Sequence, residues 1–94
     1  MNPLLTLPDQ QSLRKGLIRD NVFVVLHEVR WTETAKYSDI ILPAPSYLEK
    51  DDVVIPYSHS YVRLSRKVIE PLGESKDEIW VMRELAKRLN VKEE

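Results

Sequence analysis

His27 and Glu28 stand where an apolar run ends, and Lys50 sits between Glu49 and Asp51 after the next apolar run. A carboxylate at a strand end can accept hydrogen bonds from ribose hydroxyls or a base edge. A lysine can offset phosphate as a mobile point charge. Asp77 opens the last predicted helix, where it accepts from a ligand or favours the positive end of its own helix. Thr32 reads first as the N-cap of a short helix, a role compatible with nucleotide contact. Together these residues point to a nucleotide-type ligand. Against that stand plainer readings. Glu28 is by default a solvated carboxylate, His27 a packed or surface residue, and Lys50 the neutralised member of an acidic cluster.

Other chemistries find less support. His27 and His59 would need further ligands to hold zinc. Glu49, Asp51 and Asp52 suggest a hard cation, but the oxygen-rich loop with a central glycine is absent. Ser58, His59 and Ser60 are adjacent, which is not the geometry of a Ser-His-acid site. Only Gly16 and Gly73 occur, so no glycine loop cradles phosphate. The chain has no cysteine, which excludes disulfides, thiolate zinc and iron–sulfur ligation within it. That composition fits a reducing cytoplasm. Net charge is −1, so nothing draws the whole chain to nucleic acid or anionic membrane. No apolar run approaches the ~20 residues that span a bilayer, and the N-terminus does not read as a signal peptide.

The elements that must position these groups follow from pattern. With 94 residues, 43% hydrophobic and 31% charged, the chain reads as one small domain with a core. Asn2 to Pro8 reads as extended or turn-like, because residues before proline avoid the helical region. A helix is predicted from Pro8 to Arg19, with Leu13, Leu17 and Ile18 on one face. Val22 to Leu26 is apolar on both pleat faces and reads as a central parallel strand. A short helix from Thr32 through Tyr37 leads to a second buried strand, Ile40 to Leu42, halted by Pro43. These two strands should be adjacent and parallel.

Val53 to Ile55 reads as a brief strand, Tyr61 to Arg66 as a half-buried one, and Glu70 to Gly73 as a turn. Ser75-Lys76-Asp77-Glu78 carries a capping-box signature. The helix after it, Lys76 to Leu89, has an apolar stripe of Ile79, Met82, Leu85, Ala86 and Leu89.

Several blocks, read together, resemble the molybdopterin oxidoreductases of the dimethyl sulfoxide reductase family, nearest to formate dehydrogenase and the polysulfide or thiosulfate reductases. They are Asn2-Pro3-Leu4 with Pro8-Asp9, Val24-Val25, and Thr32-Glu33-Thr34-Ala35-Lys36-Tyr37. Ser38-Asp39-Ile40-Ile41-Leu42-Pro43-Ala44, Leu48-Glu49-Lys50-Asp51, Arg63, Glu70-Pro71 and Gly73-Glu74 continue them. The resemblance covers almost the whole chain. It implies an α/β fold: a small, open, mostly parallel sheet with helices packed on it, a fragment of a larger αβα domain over residues 1–94. It also implies part of the site for a molybdopterin guanine dinucleotide cofactor carrying molybdenum or tungsten, with the redox chemistry in other segments.

Carried over by position, Asn2 matches the Asn-Pro motif near the cofactor. His27 and Glu28 match the strand-end pair at the guanosine end. Lys50 matches the Glu-Lys block, and Asp77 an acid at the start of the last helix. The family usually has glycine where Asp52 stands, and Pro56 to Ser60 replaces an Asn-rich stretch. The resemblance implies the remaining domains or subunits of a parent oxidoreductase as partners. The ends of the chain suggest an excised domain, a split gene or a truncated frame. A stand-alone binding or assembly module is the alternative. Trp31, Tyr47, Tyr57 and Tyr61 should mark an uncovered surface that allows self-association.

Overall fold

The computed structural model describes residues 2–91. The chain forms two units, Met1–Pro43 and Ala44–Glu94, each with its own two-stranded sheet.

The first unit opens with a single helical turn, α1 (Pro3–Thr6), where the sequence suggests extended or turn-like backbone. Proline restricts the residue before it, so Asn2 and Leu7 are non-helical while Leu4 to Thr6 are free to coil. The helix predicted from Pro8 to Arg19 is shorter, α2 (Gln10–Leu17). Asp9 does not enter it. It adopts a left-handed conformation (φ 55°), and its carboxylate accepts from the Ser12 amide at 3.2 Å. Aspartate tolerates that conformation better than most residues.

β1 (Val25–Glu28) pairs in parallel with β2 (Ile40–Pro43), in the register Val25–Ile40 through Glu28–Pro43. The expected parallel adjacency holds. Both strands reach further than the pattern suggests: His27 and Glu28 belong to β1, and Pro43 ends β2. Asp39 decides where pairing starts. Its carboxylate accepts from the Val24 amide at 2.7 Å, while the Val24 carbonyl accepts from the amides of Asp39 and Ile40. Val22 and Phe23 therefore precede the ladder. The expected burial on both faces is not found, since Val25 and Ile40 are about half exposed.

The connection carries a 3₁₀ turn, Thr34–Tyr37. Thr32 does not cap it with its side chain; only its carbonyl accepts, from the Ala35 amide. The turn is tied instead to the start of α1. The Thr34 hydroxyl donates to Asn2 Oδ1 at 2.6 Å and accepts from the Leu4 amide at 3.4 Å. Leu4, Thr34 and Ala35 are buried there.

In the second unit β3 (Asp52–Val54) pairs antiparallel with β4 (Arg63–Ser65). The fold is thus mixed α/β, with one parallel and one antiparallel pair among the described residues. The loop before β3 is knitted to the segment after β4. Glu49 accepts from the amides of Ser46 and Leu72, and these bonds hold its carboxyl below the usual range, Ser46 contributing most. Asp51 accepts from the Lys67 amide at 2.8 Å.

The last helix, α3 (Glu78–Arg88), is capped by Asp77, whose Oδ1 accepts from the Trp80 amide at 2.7 Å. The capping box expected at Ser75 does not form. A turn through Gly73 (φ 61°) brings the buried Ser75 hydroxyl to donate to the Leu72 carbonyl at 2.8 Å, which removes it from the helix start. The apolar stripe is not core: Ile79, Met82, Leu85 and Leu89 are exposed, and Val81 is the buried residue of α3.

Candidate functional site

Glu28 ends β1 at its carboxyl end, the edge at which open parallel sheets bind ligands. The chain then bends through Val29 to Thr32 and returns beside Asn2. Asn2, Leu5, Glu28, Arg30, Trp31, Thr32 and Glu33 line a cavity of about 440 Å³. Three of the residues predicted for a ligand site, Asn2, Glu28 and Thr32, therefore share one concavity. His27 precedes Glu28 on the strand, so its side chain leaves the opposite face.

The polar groups of this cavity differ in commitment. Glu28 Oε1 accepts from the Val29 amide at 2.9 Å. Asn2 Oδ1 accepts from Thr34, which fixes its amide plane. Glu33 accepts from Lys36 at 2.7 Å, and that bond lowers its carboxyl pKa. Thr32 Oγ1 is buried with no hydrogen-bond partner among the described residues. A buried hydroxyl without a partner costs about 1–3 kcal/mol, and this one is closed off from the cavity that the rest of Thr32 lines.

Arg30 was not singled out by sequence reasoning, and Trp31 was expected on an uncovered surface and not at a ligand. The signal lay in their position: an arginine and an indole directly after a strand end. Arg30 offers a guanidinium to phosphate, and Trp31, 70% exposed, offers a flat apolar face. Carboxylate, guanidinium, amide and indole make a donor set that fits a nucleotide.

Lys50 and Asp77 lie in the second unit, on a cavity of about 340 Å³ with Asp51, Asp52, Glu78, Ile79, Trp80 and Arg83. Here the plain readings describe what the side chains do. Lys50 donates to Glu78 at 2.5 Å and lies 3.5 Å from Asp52. The Glu78 bond is the main reason its pKa is raised, with partial burial opposing. Asp77 is occupied as the cap of α3.

Asp77→Ala should therefore lower stability by about 0.5–2 kcal/mol, and Asp77→Asn should lower it far less, because asparagine keeps the capping oxygen. Equal losses in thermal unfolding of the two variants would show that the charge matters and not the cap. Among the described residues no group of three or more His, Asp or Glu side chains is placed to hold a metal ion.

The family model for molybdopterin oxidoreductases matches residues 1–88. The chain is 43% identical over 88 residues to a probable oxidoreductase, YoaE, of Bacillus subtilis (strain 168), covering 94% of this chain and 13% of that protein. It is 36% identical over 97 residues to acetylene hydratase of Syntrophotalea acetylenica, covering 98% of this chain and 13% of that protein. It is 34% identical over 88 residues to the F420-dependent formate dehydrogenase subunit alpha of Methanocaldococcus jannaschii, covering 94% of this chain and 13% of that protein. The chain thus spans little more than a tenth of the length of the curated relatives it matches.

Proposed function

This chain belongs to the molybdopterin oxidoreductase family, and we propose that it supplies one wall of the site for a molybdopterin guanine dinucleotide. The observation that carries this reading is the cavity at the end of β1, which Asn2, Glu28, Arg30 and Thr32 line together. Glu28 would accept from the base edge or the ribose, and Arg30 would face phosphate. Asn2, held by Thr34, would orient its amide toward the same ligand.

When bound, such a cofactor supplies the redox chemistry through its metal, molybdenum or tungsten. The residues of this chain bind and orient one end of it, and none is a catalytic residue. His27, Lys50 and Asp77 belong to the proposal on positional resemblance alone. A formate dehydrogenase-like parent in the cytoplasm, with further domains or subunits completing the pocket, is the setting we propose.

The test uses the 94-residue chain and guanosine diphosphate. Millimolar nucleotide should shift amide resonances around Asn2, Glu28 and Thr32. Glu28→Gln should abolish those shifts while the rest of the spectrum stays native, because glutamine offers only one acceptor oxygen to a paired donor edge. Shifts that spare Asn2, Glu28 and Thr32, or that survive Glu28→Gln, would defeat the reading.

A further inference from the structure

An asparagine at a helix N-cap ordinarily accepts, through Oδ1, from the amide of the second or third helical residue. Asn2 occupies the N-cap of α1, and its side chain makes no such bond. The amide within its reach, that of Leu4, donates instead to Thr34 Oγ1 at 3.4 Å. Thr34 in turn donates to Asn2 Oδ1 at 2.6 Å. The cap is thus relayed through a residue far along the chain, and the Asn2 amide is turned away from its own helix.

The ends of the relay fix its direction. A backbone N–H only donates, so the Leu4 amide takes a lone pair of Thr34 Oγ1 and leaves the hydroxyl hydrogen for Asn2. A separation of 2.6 Å suits an O–H···O bond and is shorter than N–H···O bonds ordinarily are. Asn2 therefore meets Thr34 with its oxygen. The oxygen and nitrogen of a planar amide point apart, so Nδ2 is the end left for other contacts. Among the described residues Nδ2 has no acceptor, and it is not sealed in, since Thr32 Oγ1 is the side-chain atom there that is both buried and unpartnered. Asn2 lines the cavity at the end of β1 with Glu28 and Arg30, while Thr34, 3% exposed, does not.

We propose that Thr34 is a positioning residue for this cavity: it holds Asn2 as a hydrogen-bond donor, so that Asn2 receives a ligand oxygen carrying no hydrogen, a phosphoryl or base carbonyl oxygen of the nucleotide. The inference rests on the nucleotide reading of the cavity and adds to it the polarity of one subsite. Asn2 and Glu28 then divide the polar atoms of the ligand. An ionised carboxylate only accepts, so a ribose hydroxyl or a base N–H belongs at Glu28. An oxygen without hydrogen belongs at Asn2, with the Arg30 guanidinium on the same cavity. Thr34→Val would leave Oδ1 free to accept from the Leu4 amide, as at an ordinary N-cap, and would draw Nδ2 away from the ligand.

The test follows the Asn2 side-chain NH2 resonances of the isotope-labelled full chain. In the free chain these protons should exchange readily with water, while the Thr34 hydroxyl proton should be protected. Millimolar guanosine diphosphate should shift them. A response to pyrophosphate alone identifies the phosphoryl oxygen, and a response to guanosine alone the base carbonyl. Asn2→Asp keeps an oxygen for Thr34 and removes the donor. Its unfolding midpoint should match the parent, while affinity for guanosine diphosphate should fall at least about tenfold. Thr34→Val should lower that affinity several-fold and silence the Asn2 response, and Thr34→Ser should restore both. Asn2 side-chain protons protected in the free chain, affinity unchanged in Asn2→Asp, or no response to any probe would overturn the proposal. So would an Asn2 NH2 that stays still while the Glu28 and Thr32 amides shift, an outcome that leaves the nucleotide site standing.

Discussion

Leu4→Ala should destabilise the chain by about 2–5 kcal/mol, the range for emptying a fully buried leucine site. Leu4 is 0% exposed, and among the described residues the only other buried hydrophobics are Ala35 and Val81. A small domain holds only about 5–15 kcal/mol in total, so one side chain of this size carries a large share. The loss has two parts, the transfer term for the removed carbons and a cavity term, because α1 is tied through Asn2 and cannot simply collapse. Urea unfolding followed by tryptophan fluorescence reads the change directly. A midpoint within error of the parent would mean that α1 contributes no packing to the fold. Leu5→Ala is the matched control: Leu5 is 59% exposed on the same helical turn and should cost well under half as much.

The second large effect is expected from Thr34→Val. The shape is nearly preserved, so the change isolates the hydroxyl. That hydroxyl is a node: it donates to Asn2 Oδ1 at 2.6 Å and accepts from the Leu4 amide at 3.4 Å. Thr34 is only 3% exposed, so water does not readily replace either bond. Leaving a buried polar group unpaired costs about 1–3 kcal/mol, and most of that should come from the shorter Asn2 bond. Thr34→Ser keeps the hydroxyl and should recover most of the loss. The variant also tests the ligand site, because Asn2 loses the contact that fixes its amide plane. Guanosine diphosphate shifts should shrink near Asn2 in Thr34→Val and persist near Glu28. A fully stable Thr34→Val chain would show that Asn2 and Leu4 find other partners.

Much of the first unit was legible because its signals are local and repeated. The pair of apolar runs separated by a polar segment implied adjacent parallel strands, and β1 and β2 have that arrangement. The shifted start of β1 was not legible. It depends on the Asp39 side chain clamping Val24 across 15 residues, and pattern reading sees only neighbours. The capping of α3 misled for a related reason. Ser75 and Asp77 are both good caps, and a turn at Gly73 decided between them by engaging Ser75 first. The stripe on α3 was read as core because amphipathic spacing reports a buried face without saying what buries it.

The site was legible in part. Glu28 and Thr32 stood out by position at a strand end and beside a predicted turn. Their meeting with Asn2 in one cavity arises from α1 folding back onto the 3₁₀ turn, a contact 32 residues long in sequence. Arg30 and Trp31 joined them only once the loop after β1 had a path. Lys50 and Asp77 carried the same local credentials as Glu28, yet each is engaged in its own unit by an ion pair or a helix cap.

The sequence by itself determined most element types, the parallel pair and the absence of thiol chemistry, because these rest on composition and on periods of two or 3.6 residues, and the family resemblance, because it rests on motif blocks kept in order along the chain. Only the tertiary structure decided which polar groups are spent and which remain. Thr32 was read first as a cap, and its hydroxyl is buried without a partner among the described residues, while Asp77, read as a ligand acceptor or as an acid favouring its own helix end, caps α3. The physical reason is that a hydrogen-bonding side chain has few bonds to make, and long-range contacts decide where they go before any ligand can claim them.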